Sequence, residues 1–146
     1  MKKTKIAGKV LTVFAFILLA VCIVDYWFVD GQRRAAEKYI SAMASGNLAD
    51  YNSVTADSTY TDKDIFTADH RTFLTGYGEL TALEENDVIS SKAHIKEHHM
   101  NDLFNWDVTV DADFFSGTKS ASFDGTVLSM RFEKGRWLIY DDNLPK

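Results

Sequence analysis

From Val10 to Val29 the chain is apolar at every position except Thr12, Cys22 and Asp25, and the segment before it carries Lys2, Lys3, Lys5 and Lys9. At about 1.5 Å per helical residue this stretch reaches roughly 30 Å, the thickness of a bilayer's hydrocarbon core. The pattern predicts a transmembrane helix over 10–29. Only Arg33 and Arg34 follow closely behind it, so the positive charge bias keeps the basic tail, 1–9, in the cytoplasm and puts 30–146 outside. Tyr26, Trp27 and Phe28 suit the headgroup zone at the far end, and Asp25, within a turn of that interface, can reach water.

Past the span the period becomes helical. Ala36, Tyr39, Ile40 and Met43 share a face over Gln32 to Ser45, and Gly46 stands where a left-handed cap ends such a helix. Asn47 caps a short second helix that uses Leu48, Tyr51 and Val54; a third runs from about Asp62 to Thr75 on Ile65, Phe66, Phe73 and Leu74. After Gly76-Tyr77-Gly78 the period drops to two. A weak strand is expected at Glu79–Leu83 and a better one at Val88–Met100, with Ile89, Ala93 and Ile95 facing inward.

The clearest alternation follows, with Phe104, Trp106, Val108, Val110, Ala112 and Phe114 on one side and Asp107, Thr109, Asp111 and Asp113 on the other. Ser116-Gly117 turns the chain into Ser120–Glu133, where the apolar phase moves from Phe123 to Leu128, Met130 and Phe132. A bulge at Gly125 accounts for the change. Glu133-Lys134-Gly135-Arg136 then makes a tight turn into a last strand, Trp137–Tyr140. Helices followed by an antiparallel meander predict an α+β domain whose helices cover one concave face of the sheet.

Composition narrows the function. About 116 residues beyond the span suit one domain. Removing the four N-terminal lysines, Asp25 and Asp30 from 16 basic and 21 acidic residues leaves 12 and 19, a net charge of −7 that disfavours nucleic acid. Cys22 is the only cysteine and lies in the span, so the outer domain has no disulfide; it has no N-x-S/T sequon either, and its only proline is Pro145. These features fit a bacterial surface protein. Cleavage or lipidation would change the anchor. Ala20 and Cys22 form the one passable signal-peptidase pair, and Leu19-Ala20-Val21-Cys22 approaches a lipobox but has Val21 where a small residue is needed.

The order helix, short helix, helix and long curved strands, with A-E-K-Y-I-S-A-M-A-S-G-N at Ala36–Asn47 and G-R-W-L-I-Y at Gly135–Tyr140, resembles the NTF2-like (cystatin-like cone) superfamily over Gln32–Asn143. One span followed by such a domain also resembles VirB8-type components of secretion and conjugation machines, in architecture alone. Ketosteroid isomerase-like and SnoaL-like members of the superfamily imply a cavity between sheet and helices holding an acid or base.

No catalytic, cofactor or metal residue is assigned from the sequence. His94, His98 and His99 with Glu97 form the most tempting string. On a regular strand, however, His94 and His98 share a face about 13 Å apart, too far for one ion, while His99 faces away. They read as exposed edge histidines, and His70 on the third helix adds nothing specific. Asp107, Asp111 and Asp113 read as a solvated face. Tyr39, Tyr51, Tyr60 and Tyr77 can line a pocket, but core packing is the ordinary role of tyrosines at these spacings. The expected role is a noncatalytic membrane-anchored module binding a protein partner in the cell envelope. A cavity binding a small apolar ligand and an isomerase-like enzyme are the alternatives: a filled core favours the assembly module, a cavity without ionisable groups favours ligand binding, and an open apolar cavity enclosing a carboxylate favours the enzyme.

Overall fold

The computed structural model describes residues 2–56, 60–83 and 87–144; Pro145 lies outside them. The chain divides into two compact units, Met1–Gly31 and Gln32–Lys146. The expected span and first helix belong to a single element, α1 (Lys2–Ser45). In the first unit the large apolar side chains from Val10 to Trp27 are exposed, Leu11 by 75%. Among the described residues this is the one helix long and apolar enough to cross a membrane; a signal sequence has the same character.

The second unit begins with the remainder of α1, whose Ala36, Tyr39, Ile40 and Met43 are buried as their spacing predicts. Gly46 follows at φ +67°, the left-handed conformation that glycine adopts without a side-chain penalty. Helix α2 (Leu48–Val54) starts where the Asn47 side chain accepts the Asp50 N–H. Helix α3 (Lys63–Thr75) starts where Asp62 accepts the N–H groups of Asp64 and Ile65. Both caps satisfy amides that the first helical turn leaves open.

Glu79–Leu83 is not a strand. Gly78–Ala82 forms a 3-10 helix instead, in which Leu80 is fully buried. Gly78, at φ +54°, lies so close to the sheet that an added Cβ would stand 3.0 Å from the Ser120 carbonyl oxygen. The Glu79 carboxylate accepts the Ser120 N–H at 3.2 Å. These contacts hold the segment against the sheet without a ladder.

Four strands, β1 (Ser90–Met100), β2 (Asn105–Ser116), β3 (Lys119–Glu133) and β4 (Arg136–Asp142), form an antiparallel sheet in that order. Tight turns join the last three. Gly117 takes φ +60° in one, and Lys134 and Gly135 take φ 52° and 80° in the other, the twist that two-residue hairpin loops need. The Gly125 bulge is present. Val110 pairs with Thr126 and Ala112 with Phe123, so Asp111 faces two residues, and Gly125 takes φ +67°. Val108, Val110, Ala112, Phe114, Leu128 and Met130 are wholly buried and form the sheet's share of the core.

A second bulge, not expected from the sequence, interrupts β1. Ile95 pairs with Val110 and Glu97 with Thr109, leaving Lys96 as the extra residue. The phase of every later side chain is thereby reversed.

Candidate functional site

The bulge at Lys96 changes the reading of the histidines. His98 pairs with Val108 on the inner face, and its Nδ1 lies 2.6 Å from Oε1 of the buried Gln32. His94 and His99 stay on the outer face opposite Asp111 and Asp107. His94 and His98 therefore do not share a face, and His98 is a half-buried partner of α1. Among the described residues no group of three His, Cys, Asp or Glu side chains is placed to hold a metal ion.

The outer acidic row is tied into the sheet. Asp107 accepts the Ser129 hydroxyl at 2.7 Å and the Asn101 amide at 2.9 Å. Asp111 accepts the Gly125 N–H at 2.9 Å and pairs with Lys96 at 2.7 Å, so the two bulges meet at one carboxylate. Asp113 accepts the Ser122 hydroxyl at 2.6 Å. These donors hold the Asp107 and Asp111 carboxyls below their ordinary range: mainly Asn101 and then Ser129 for Asp107, Lys96 and then Gly125 for Asp111.

Tyrosines predicted to be pocket or core residues meet at an open cavity of about 830 Å³. Tyr39, Tyr51, Tyr60, Phe73 and Tyr77 supply aromatic walls, and Asp69, His70 and Asp142 supply polar ones. Local structure explains the convergence. Tyr39 lies on the buried face of α1. Beyond the end of α2, Thr55 bridges to Ile139 of β4 and the Ala56 N–H donates to the Ile139 carbonyl at 2.8 Å. This anchor lays Tyr51 over Tyr39, ring centroids 5.3 Å apart and stacked. On α3, Phe66, His70 and Leu74 recur every four residues and are all buried. Tyr60, just before α3, packs edge-on to Tyr51 and Phe66.

A hydrogen-bond relay links these groups. The Tyr39 hydroxyl donates to Asp142 Oδ2 at 2.6 Å, and Asp142 Oδ1 accepts the Leu144 N–H at 3.1 Å. The Tyr51 ring stacks on that of Tyr39, which brings the two hydroxyls into electrostatic contact. Burial, then the Asp142 charge and Tyr51, raises the Tyr39 pKa far above that of an ordinary phenol. Burial also raises those of Tyr51 and Tyr60, the latter with help from its hydrogen bond to Asp69.

His70 Nδ1 lies 2.9 Å from the Phe66 carbonyl oxygen, a contact that requires the proton on Nδ1 and leaves the Nε2 lone pair available. Burial lowers the His70 pKa, against the opposing pull of the Phe66 carbonyl, Asp69 and Asp142. The imidazole is therefore neutral near pH 7. The sequence singles out neither His70 nor Asp142 as a site residue. Helical spacing between Phe66 and Leu74 marks His70 as inward-facing, whereas no local signal marks Asp142.

No family model and no curated protein matches the chain. Among solved structures, an NTF-2 like protein of unknown function from Shewanella oneidensis MR-1 aligns at TM-score 0.51 and 15% identity, over 78% of this chain and 95% of that one. A SEC-C motif containing protein from Rhodopseudomonas palustris aligns at TM-score 0.44 and 15% identity, over 72% and 71% of the two chains. The likeness to VirB8-type components finds no support among these comparisons. With its helices packed on a four-stranded antiparallel sheet, the chain has an NTF2-like fold.

Proposed function

We propose that this protein is a single-pass membrane protein whose NTF2-like domain, held outside the cytoplasm, binds a small molecule in the cavity between its three helices and the end of β4. The observation that carries the reading is the open cavity of about 830 Å³ and its lining of aromatic faces with a few convergent polar groups, the composition usual in ligand sites. A purely assembling module needs only its surface, and a filled core would have favoured it. The row of Asp107, Asp111 and Asp113 on the outer face is occupied by bonds within the sheet. One observation favours an isomerase-like second reading: a neutral His70 with its Nε2 lone pair available, beside the cavity, suits a general base.

Native mass spectrometry of the full-length protein extracted from membranes tests the proposal. We expect a bound small molecule on the unaltered chain and its loss from Thr72→Trp, which fills the cavity from an exposed lining position. A passenger that persists in Thr72→Trp, or none on either form, overturns the reading; a passenger whose mass changes on incubation selects the enzyme.

A further inference from the structure

We propose that the cavity recognises a small organic cation, an ammonium group seated against the rings of Tyr51 and Tyr60 with Asp69 and Asp142 at its wall. This inference rests on the ligand-binding reading of the same cavity and names the chemistry of the ligand.

Two independent properties of the lining lead to it. The first is its inventory of charged and polar groups. The Tyr39 hydroxyl proton goes to Asp142 and that of Tyr60 to Asp69. The Nδ1–H of His70 goes to the Phe66 carbonyl. Three donors that would greet a carbonyl, carboxylate or phosphate are thus engaged within the protein. The hydroxyls of Tyr51, Thr72 and Tyr77 can donate or accept, and the other polar groups of the lining, His70 Nε2 and two carboxylates, are acceptors. No lysine or arginine is among the lining residues. An anionic ligand would meet two carboxylates and no cationic side chain, whereas an ammonium supplies the opposite charge and protons for those acceptors.

The second is the arrangement of rings. Tyr51 lies within 6 Å of both Tyr39 and Tyr60, stacked on the first and edge-on to the second, so rings at different angles border one space. Aromatic faces carry negative quadrupole charge and attract cations most strongly when these are only partly hydrated. Charge and quadrupole therefore act in the same direction.

Three molecules of similar size and shape, cationic, neutral and anionic, test this on the full-length protein in maltoside micelles, by calorimetry: choline, its uncharged isostere 3,3-dimethyl-1-butanol, and 3,3-dimethylbutyrate. Choline should bind about tenfold more tightly than the alcohol, and the acid should not bind. Tyr60→Leu and Asp69→Asn, both away from the buried core, should each weaken choline several-fold and leave the alcohol within twofold. A second preparation in phosphatidylcholine nanodiscs separates the sources of such a group. Choline binding that disappears there identifies a lipid headgroup as occupant, and choline binding that persists identifies a soluble cation; either supports the inference. Equal affinity for choline and the alcohol, tighter binding of the acid, or variants that leave choline unaffected overturn the cationic ligand. If a neutral or anionic passenger is found by native mass spectrometry, the ligand-binding reading still stands and only the cation is lost.

Discussion

Tyr39 and Asp142, 103 positions apart in the chain, are joined by a hydrogen bond of 2.6 Å that ties the inner face of the first helix to the last residue of the sheet. Tyr51 of the second helix stacks on the Tyr39 ring, so three elements meet beside this carboxylate at the cavity. The Leu144 N–H on its other oxygen fixes the carboxylate's orientation.

Tyr39→Phe removes the hydroxyl and keeps the ring. Asp142 then loses a charge-assisted donor. Hydrogen bonds to charged groups contribute about 1.5–3 kcal/mol, and we expect a loss in that range, read by urea denaturation of the full chain in detergent. Asp142→Asn should be milder, because an amide oxygen still accepts from Tyr39. An unchanged midpoint in Tyr39→Phe would mean that the relay does not hold the elements together.

His70 predicts the behaviour in weak acid. Burial lowers its pKa in the folded state below the ordinary value of about 6.5, so the unfolded chain binds protons first as pH falls. The stability associated with the neutral imidazole is complete above about pH 6.5 and declines below it. His70→Gln should flatten the dependence of the denaturation midpoint between about pH 6.5 and 5. Asp107 and Asp111 act lower. Their carboxyls are depressed by cross-strand donors, so their contribution is present above the unfolded value of about 3.9 and is lost as pH falls through the folded values. Asp107→Asn should reduce only that second, more acidic loss.

Two glycines separate conformational strain from steric contact. Gly125 has φ +67° and nothing within 4 Å of an added Cβ, so Gly125→Ala meets only the left-handed penalty, about 1 kcal/mol. Gly78 has φ +54°, and its added Cβ would meet the Ser120 carbonyl oxygen at 3.0 Å and the Ala121 Cβ at 3.1 Å. Gly78→Ala should therefore cost clearly more, by forcing the 3-10 segment off the sheet. Thermal midpoints of the two variants side by side decide this. Equal losses would remove the close approach as the reason for glycine at 78.

Features set by neighbours in sequence were legible before the structure. Asn47 and Asp62 cap helices because a short side-chain acceptor precedes an apolar 3.6-residue period, and the Gly125 bulge shows as a phase change with a glycine in the middle. The bulge at Lys96 lacks such a marker. It is set by where Val108 and Val110 of the neighbouring strand must lie, and its only trace is that the polar His98 takes the position that continues Ala93 and Ile95 inward. Glu79–Leu83 misled because alternation over five residues cannot distinguish a strand from a 3-10 segment with one buried leucine. Within the site, the tyrosines could be named as pocket candidates, but Asp142 could not. Its role comes from a contact across 103 positions, and the adjacent Asp141 is identical in type.

The lysines at the start of the chain set the last expectation, the side of the membrane on which the cavity opens. Lys2, Lys3, Lys5 and Lys9 precede the apolar run, and positive charge resists translocation, so the cavity should face away from the cytoplasm. Cys22, the only cysteine, lies within that run, and in the proposed span lipid would exclude polar reagents from it. A cysteine placed at the exposed hairpin position Thr118 therefore reports its side alone. In intact cells a membrane-impermeant maleimide should label Thr118→Cys and not the unaltered chain. Replacing the four lysines with glutamate should abolish that labelling without lowering expression, because the bias that orients the span is gone. Labelling that requires cell lysis in Thr118→Cys would place the domain in the cytoplasm and remove the proposed access to an external ligand, whatever the cavity then proves to bind.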